Sequence, residues 1–314
     1  MIDQLSILIP TFNHNCTALV HELSRQLQKA HAPNYEIIVA DDASTDRSVI
    51  AENRSINAIA HCRYIERSKN AGRAAIRNFL YTSATYDHML FLDADVQPSD
   101  DRFILRYLSC NSNMGVVSGG VQLPSDESAH GRYVHQLRYI YEQSIQKSLH
   151  KRHNQCPYQS LSSANFMLSR KYVAQPPFDV QIQRYGYEDT LFGKRLMEQG
   201  IPMLCIDNPV IHFDNMSNED YLNKVEEALH TLRTLKEELA GFSPLLALCH
   251  SIEKWHMAGT LRRMFRLMRE NWRRNLCSSN PSLLVFKMYK TGYFLSITQD
   301  QPEESRQPDN YTSS

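Results

Sequence analysis

The chain has 314 residues, with 34 Lys and Arg against 34 Asp and Glu and no net formal charge. A composition 42% apolar and 22% charged can bury a globular core, and the neutral balance gives no electrostatic footprint for a nucleic-acid partner. No apolar stretch approaches the roughly 20 residues of a spanning helix, and the opening MIDQLSILIPTFNH lacks a basic region followed by an apolar run.

Seven scattered cysteines (Cys16, Cys62, Cys110, Cys156, Cys205, Cys249, Cys277), odd in number and without a CxxC pair, fit a reducing compartment better than a disulfide frame or a zinc site. The expected location is cytoplasmic, either free or peripheral at the inner face of a membrane.

In chain order, residues 5–9, LSILI, form an apolar run stopped by Pro10, the pattern of a strand buried on both faces. Leu19, Leu23 and Leu27 recur every fourth residue and predict a helix over 17–31. YEIIVADDAS (35–44) predicts a second strand ending in carboxylates and a small-residue turn. A helix over 46–60, a third strand at CRYIE (62–66) and an Ala- and Leu-rich helix over 72–84 follow. HMLFLDADV (88–96) predicts a fourth strand that runs into two aspartates. Strands alternating with helices imply right-handed βαβ units and a parallel sheet. Three of these strands end in polar residues: Thr11 and Asn13, Asp41 and Asp42, Asp93 and Asp95. In open α/β sheets, ligands bind along that edge.

Beyond residue 100 the regularity weakens. MGVVSGGVQLP (114–124) reads as a strand with a glycine-bearing exit, residues 131–152 as a polar helix, and SLSSANFMLSRK (160–171) as a strand entering a helix. YGYEDTLFGKRLMEQG (185–200) reads as a loop leading into a helix that stops at Gly200. PMLCIDNPVIHFDN (202–215) gives a strand, a turn and a second short strand. From about 219 the pattern is helical to about 276, with a break near GFSP (241–244). The chain thus divides into an α/β domain over 1–218, a helical basic extension over 219–300, and a polar tail over 301–314 expected to be disordered.

Asp93 and Asp95 pose the chemical question. Like charges this close disfavour each other's ionisation, so a positive partner is expected. If the strand persists to Asp95, both side chains lie on one face; if the chain turns first, they can bracket a cation. Mg2+ and Mn2+ commonly take one or two carboxylates plus substrate phosphates. The competing reading is a polar turn after a buried strand.

Asp41 or Asp42 can accept a hydrogen bond from an imide N–H such as that of uracil, and Ser44 or Asp46 can cap the next helix. In SKNAGRAAIRN (68–78), Gly72 lets backbone approach a ligand. Arg73 and Arg77, four apart, share a helix face and suit a phosphate or a base carbonyl; two solvated surface arginines are the alternative. Glu188 and Asp189 open a helix, where acids often serve only the dipole, yet the aromatic, glycine-containing loop before them lets them supply a general base. His212 lies between apolar residues and aspartates, the setting of a structural histidine or a ligand.

Together, SILIPTFN, EIIVADDASTD, NAGRAAIRN, MLFLDADVQP, YGYEDTLFGKRL and VIHF, in this order over about residues 4–215, resemble the inverting family-2 glycosyltransferases with a GT-A fold. The resemblance implies a Rossmann-like α/β architecture, its sheet mixed but mainly parallel and flanked by helices, here with a C-terminal helical extension. It implies a UDP- or other nucleotide-sugar across the carboxyl edge of the sheet, bordered by Pro10, Thr11, Asn13, Asp42 and Arg73. Asp41, Asn70, Gly72, Arg77 and Ala94 belong to the same rim.

Asp93 and Asp95 would form the DxD motif at Mn2+ or Mg2+, with Asp95 in direct contact and His212 matching a histidine that joins the metal in some members. Asp189 would be the catalytic base, with Glu188 beside it at the acceptor site. The implied reaction is a metal-dependent inverting transfer to a hydroxyl of a glycan or lipid-linked acceptor, in cell-surface polysaccharide assembly. Such a transfer needs one base and one stabilised leaving group, and no dedicated nucleophile. The QxxRW motif and spanning helices of many processive members are absent from the sequence, so a single-addition enzyme is expected.

Residues 254–290 carry nine Lys and Arg against Glu270 alone. Leu261, Met264, Phe265, Met268 and Trp272 recur at three- and four-residue spacing, while Arg262, Arg266, Arg269 and Arg273 line another face. Over 255–277 such a helix either lies on an anionic membrane or packs its apolar stripe on the catalytic domain. Two other functions compete with transfer. One is a haloacid-dehalogenase-type phosphatase, which also follows a strand with DxD but normally at the start of its domain. The other is a catalytically silent protein that keeps a nucleotide-sugar site.

Overall fold

Apolar residues on alternate sides of the first strands account for the two layers packed against them. The computed structural model describes residues 2–32, 34–124, 135–145, 156–182, 184–212 and 216–297. The tail, and residues 131–134 and 146–152 of the predicted polar helix, lie outside them. Strands β1 (Gln4–Thr11), β2 (Asn34–Asp41), β3 (Cys62–Glu66) and β4 (His88–Leu92) pair in parallel in the order β3-β2-β1-β4. Ile7, Ile9, Ile37 and Val39 point into one core with Leu19, Val20, Leu23 and Leu27 of helix α1 (Thr17–Lys29). Leu8, Ile38 and Ala40 point into the other, with Ala74, Ile76, Leu80 and Tyr81 of α3 (Arg73–Ser83). Burial on both faces is what a parallel sheet with crossover helices requires.

Between them α2 (Arg47–Arg54) is capped by Asp46, which accepts from the N–H groups of Ser48 and Val49 at 2.9 and 3.3 Å. Asp46, not Ser44, is the capping residue. The predicted 46–60 helix is shorter because the chain tightens into a 3-10 turn at Ser55–Ala58.

The fourth strand ends earlier than expected, at Leu92. A carboxylate cannot continue a strand buried between neighbours on both sides without a partner, and the chain turns at residues 93–95. It resumes as β5 (Val96–Pro98). Asp93 and Asp95 are therefore not alternate residues of one strand. After α4 (Phe103–Leu108), β6 (Val116–Ser118) and β7 (Val121–Gln122) replace the single predicted strand at 114–124. β8 (Asn165–Ser169) runs antiparallel between β4 and β6, and β9 (Met203–Cys205) completes a seven-stranded mixed sheet. No helix follows β8 directly: the chain turns at residues 170–172, and the next helix is α6 (Glu188–Glu198). It stops at Gly200, whose φ of 64° suits a glycine after a helix end. β10 (Val210–His212) joins β5 and β7 in a separate three-stranded sheet.

A helix at residues 137–145 (α5) packs with the C-terminal helices α7 (Asn218–Thr234), α8 (Pro244–Lys254), α9 (Ala258–Leu276) and α10 (Leu283–Ser296). The helical region is broken at 235–243, 255–257 and 277–282, and extends past 276 through α10. The apolar stripe of α9 is used inside the protein: Phe265, Trp272 and Leu276 pack with Leu222, Phe286 and Tyr289. Arg273 pairs with Glu226 at 3.0 Å and Glu219 at 3.2 Å. Arg262, Arg263 and Arg266 stay exposed. Among the described residues no helix is long and apolar enough to cross a membrane.

Candidate active site

Parallel register brings the polar strand ends together. Thr11 lies opposite Asp41. Both aspartates after β2 are buried. Asp41 accepts the Ser44 N–H at 2.6 Å and a hydrogen bond from the Tyr64 hydroxyl. Asp42 accepts from Arg67 at 2.6 Å and from the Gly72 and Ala71 N–H groups at 2.8 and 3.1 Å. These carboxylates thus also hold the loops that follow β2.

Asn13, with φ 51°, donates its N–H to Ser44 Oγ at 2.7 Å and accepts the Thr45 and Asp46 N–H groups at 2.8 and 3.0 Å. Asn70 accepts the Gly72 N–H at 3.1 Å, and Gly72 has φ 87°, a conformation costly for other residues. Pro10 borders this knot on β1, and Ala94 packs on the core beside it.

The partners of the DxD pair are separate. Asp93 meets Arg77 at 2.5 Å and Arg73 at 3.6 Å. Asp95 meets His212 Nε2 at 2.9 Å. The small sheet explains the second contact: antiparallel pairing sets His212 opposite Val96, next to Asp95. Burial pushes the Asp95 carboxyl up, but the hydrogen bond and charge of His212 outweigh it and hold the group well below the usual carboxylate range.

Two expectations change here. Asp93 faces guanidinium groups whereas Asp95 faces the His212 imidazole, so the two carboxylates have different partners. Arg77 is 2% exposed and lies under Asp93 with the Phe178 ring 5.6 Å from its guanidinium carbon, so it is neither a solvated surface arginine nor open to a phosphate. Arg73, 50% exposed, is the arginine that faces outward.

The α6 N-terminus closes the site from the far side of the chain. Glu188 is buried and sits 3.3 Å from Arg73 Nε. Arg73 therefore bridges the end of β4 and the start of α6. Asp189, half-buried, accepts the Thr190 N–H at 2.7 Å. Burial, and then the adjacent Glu188 charge, raise its pKa above the ordinary carboxylate value.

The sequence did not reveal what holds this loop. Thr231 of α7 donates to the Tyr185 carbonyl at 2.9 Å, and Glu227 accepts the Tyr185 N–H at 3.0 Å. Gly186, with φ 97°, has room for no side chain against Ala228. Tyr185 in turn lies 5.4 Å from the Arg73 guanidinium. The buried Asn165, which binds the carbonyls of Gly120 and Asn208 at 2.8 and 2.9 Å behind the DxD turn, was also unmarked. These are tertiary contacts of ordinary residues, and a small residue at helix position 228 was the one local hint.

A mixed sheet of this order, with acidic residues at its carboxyl edge, is a GT-A fold. The fold matches that of the mannosyltransferase PcManGT from Pyrobaculum calidifontis, solved in complex with GDP-Man and Mn2+, with a TM-score of 0.55 at 13% identity over 94% of this chain and 85% of that one. More particularly, the chain belongs to Glycosyl transferase family 2, whose profile matches residues 6–175.

Chondroitin synthase of Escherichia coli is 21% identical over 272 residues, covering 77% of this chain and 39% of that protein. Hyaluronan synthase of Pasteurella multocida is 27% identical over 233 residues, covering 65% and 24%. The chain thus spans well under half the length of these relatives. The phosphatase reading of the DxD is set aside, since the family and the fold are those of glycosyltransferases.

Proposed function

We propose that this chain transfers a sugar, with inversion, from a nucleotide-diphospho-sugar, a UDP-sugar in the first instance, to a hydroxyl of a glycan or lipid-linked acceptor in cell-surface polysaccharide assembly. The observation that carries this reading is the Arg73 bridge, which joins Asp93 after β4 to Glu188 before Asp189. Two acidic segments far apart in sequence thereby face one exposed guanidinium, a natural partner for a diphosphate. Pro10, Thr11, Asn13, Asn70, Gly72 and Ala94 form the rim against which the nucleoside is bound, and residues 1–218 form the catalytic domain. Asp189 takes the proton of the acceptor hydroxyl as that oxygen attacks the anomeric carbon. Its raised pKa suits a base, and burial, with Glu188 second, keeps it raised.

Asp95 and His212 suit a divalent ion. Among the described residues no group of three His, Cys, Asp or Glu converges on one point. One carboxylate and one imidazole, completed by substrate phosphate oxygens, is a donor set that Mn2+ or Mg2+ accepts. When bound there, the ion neutralises charge on the departing diphosphate.

The test is a panel of UDP-, GDP- and dTDP-sugars scored by melting temperature and by released nucleotide diphosphate, with Mn2+ and with EDTA. At about 100 times Kd, the true donor stabilises the fold by about 2.7 kcal/mol. EDTA is expected to remove both signals, and Asp95→Asn to raise the Mn2+ requirement. Stabilisation without turnover, with acceptor present, would leave only a silent binder; no response to any donor defeats the reading.

The same proposal includes contact with an anionic membrane, through a different surface from the one the apolar spacing suggested. Trp255 and Leu267 are 75% and 72% exposed, near the exposed Arg262, Arg263 and Arg266. Exposed aromatic and aliphatic side chains on an arginine-rich segment suit a lipid interface. Co-sedimentation with vesicles containing phosphatidylglycerol, lost in Trp255→Ser and at high salt, is the expected result. Equal binding to neutral vesicles would remove the electrostatic part of this reading.

A further inference from the structure

Beside the α6 N-terminus, helices α5, α7 and α10 border an open cleft of about 200 Å³. Its walls include Tyr187 and Thr190, the residues flanking Glu188 and Asp189, and opposite them Tyr141, Tyr221, Phe286 and Lys290. This cleft is lined by aromatic faces, hydroxyls and one ammonium. Such a mixture is typical of a pocket for a small amphipathic ligand.

Lys290 gives the pocket its sign. Its Nζ lies 2.9 Å from the Tyr141 hydroxyl and 4.2 and 4.6 Å from the ring centres of Tyr141 and Phe286. All of these partners are uncharged. The acids of the same helical layer are engaged elsewhere: Glu226 by Arg273 and Tyr289, and Glu142 by Arg138. The ammonium thus keeps its charge for a further partner. Among the described residues, Lys290 is the one charged side chain in its lining.

We infer that this cavity binds the terminal sugar unit of the acceptor, and that it selects a sugar carrying an anionic substituent. The ring stacks on the tyrosines, the anionic group meets Lys290, and the sugar lies beside the start of α6, where Tyr187 and Thr190 line the cleft. Aromatic faces suit the C–H face of a sugar ring, and the tyrosine hydroxyls suit its rim. This assignment rests on the transferase reading for the identity of the ligand as acceptor. It does not rest on that reading for the pocket's preference of charge.

The experiment uses the full chain with UDP and Mn2+ and three probes: methyl β-glucuronide, glucose 6-phosphate and methyl β-glucoside. They present related rings with a carboxylate, a phosphate or no charge, and calorimetry reads their binding. One or both anionic probes are expected to bind at least about tenfold tighter than the glucoside, and the tighter of the two identifies the substituent as a uronic acid or a sugar phosphate. Lys290→Arg keeps the preference, and Lys290→Met abolishes it while glucoside binding is retained.

Equal binding of charged and neutral probes to the wild type, no binding of any probe, or a preference that survives in Lys290→Met overturns the assignment. The wild-type comparison decides even where a variant fails to fold. The melting temperature with UDP and Mn2+ reads the donor site separately. Stabilisation by UDP without charge preference removes only the pocket assignment, whereas charge preference without any nucleotide response removes the transferase reading.

Discussion

Asp189→Asn lowers kcat for sugar transfer by about 10²–10⁴-fold, the usual contribution of a positioned general base, and leaves the donor-induced rise in melting temperature intact. The asparagine keeps the shape and can still accept the Thr190 N–H that Asp189 accepts at 2.7 Å, so folding is not the reason for the loss. The wild-type pH profile carries an independent signature. A base acts only when deprotonated, so activity disappears as pH falls through its pKa. Burial and Glu188 hold that pKa above the ordinary value, so the acid limb of kcat/KM lies above the roughly 3.9 of a free aspartate. Glu188→Gln removes the neighbouring negative charge and moves the limb toward lower pH. An Asp189→Asn variant with full turnover, or an acid limb unmoved by Glu188→Gln, would take the base role away from Asp189.

The parts of this site differ in how far the sequence discloses them, and the difference is physical. β1, β2 and β4 were legible because strands buried on both faces must be continuous apolar runs. The turn after β4 was not, because what ends that strand is a pair of arginines contributed by α3. Even so, one of those arginines could have been placed. Arg77 stands three residues from Ala74 and Leu80 and four from Tyr81, all buried, so helical periodicity alone sets it on the inner face. The shared spacing with Arg73 suggested one common role for both, whereas the structure sends one arginine inward and the other out.

β5 and β7 are three and two residues long and owe their existence to long-range pairing, which no local pattern encodes, whereas the short strand at β10 was legible in NPVIHF. The stripe on α9 was visible, but periodicity says that a face is apolar and not what covers it. α10 supplies the cover, through Phe286 and Tyr289.

Arg77→Met is expected to destabilise the fold by about 3 kcal/mol, the lower end of the range for breaking a buried ion pair from one side. Arg77 is 2% exposed and its guanidinium meets Asp93 at 2.5 Å. Methionine fills much of the same space against Phe178, so the loss is electrostatic more than one of volume. It leaves the Asp93 carboxylate, itself 17% exposed, with only the outward-facing Arg73 at 3.6 Å. That residual partner and the partial exposure keep the effect near the low end. The buried Nε of Arg77, which has no hydrogen-bond partner, is relieved by the substitution and works in the same direction.

Urea unfolding reads the change as a lower midpoint at constant slope. Adding Asp93→Asn removes the uncompensated charge, so the double variant should be more stable than the sum of the two single losses predicts, by about 0.5–3 kcal/mol. Arg73→Met, at the exposed position, should cost far less stability and more activity. If Arg77→Met unfolds within about 0.5 kcal/mol of the wild type, as an ordinary surface substitution does, then the positive charge beneath Asp93 does not hold the β4 turn in place.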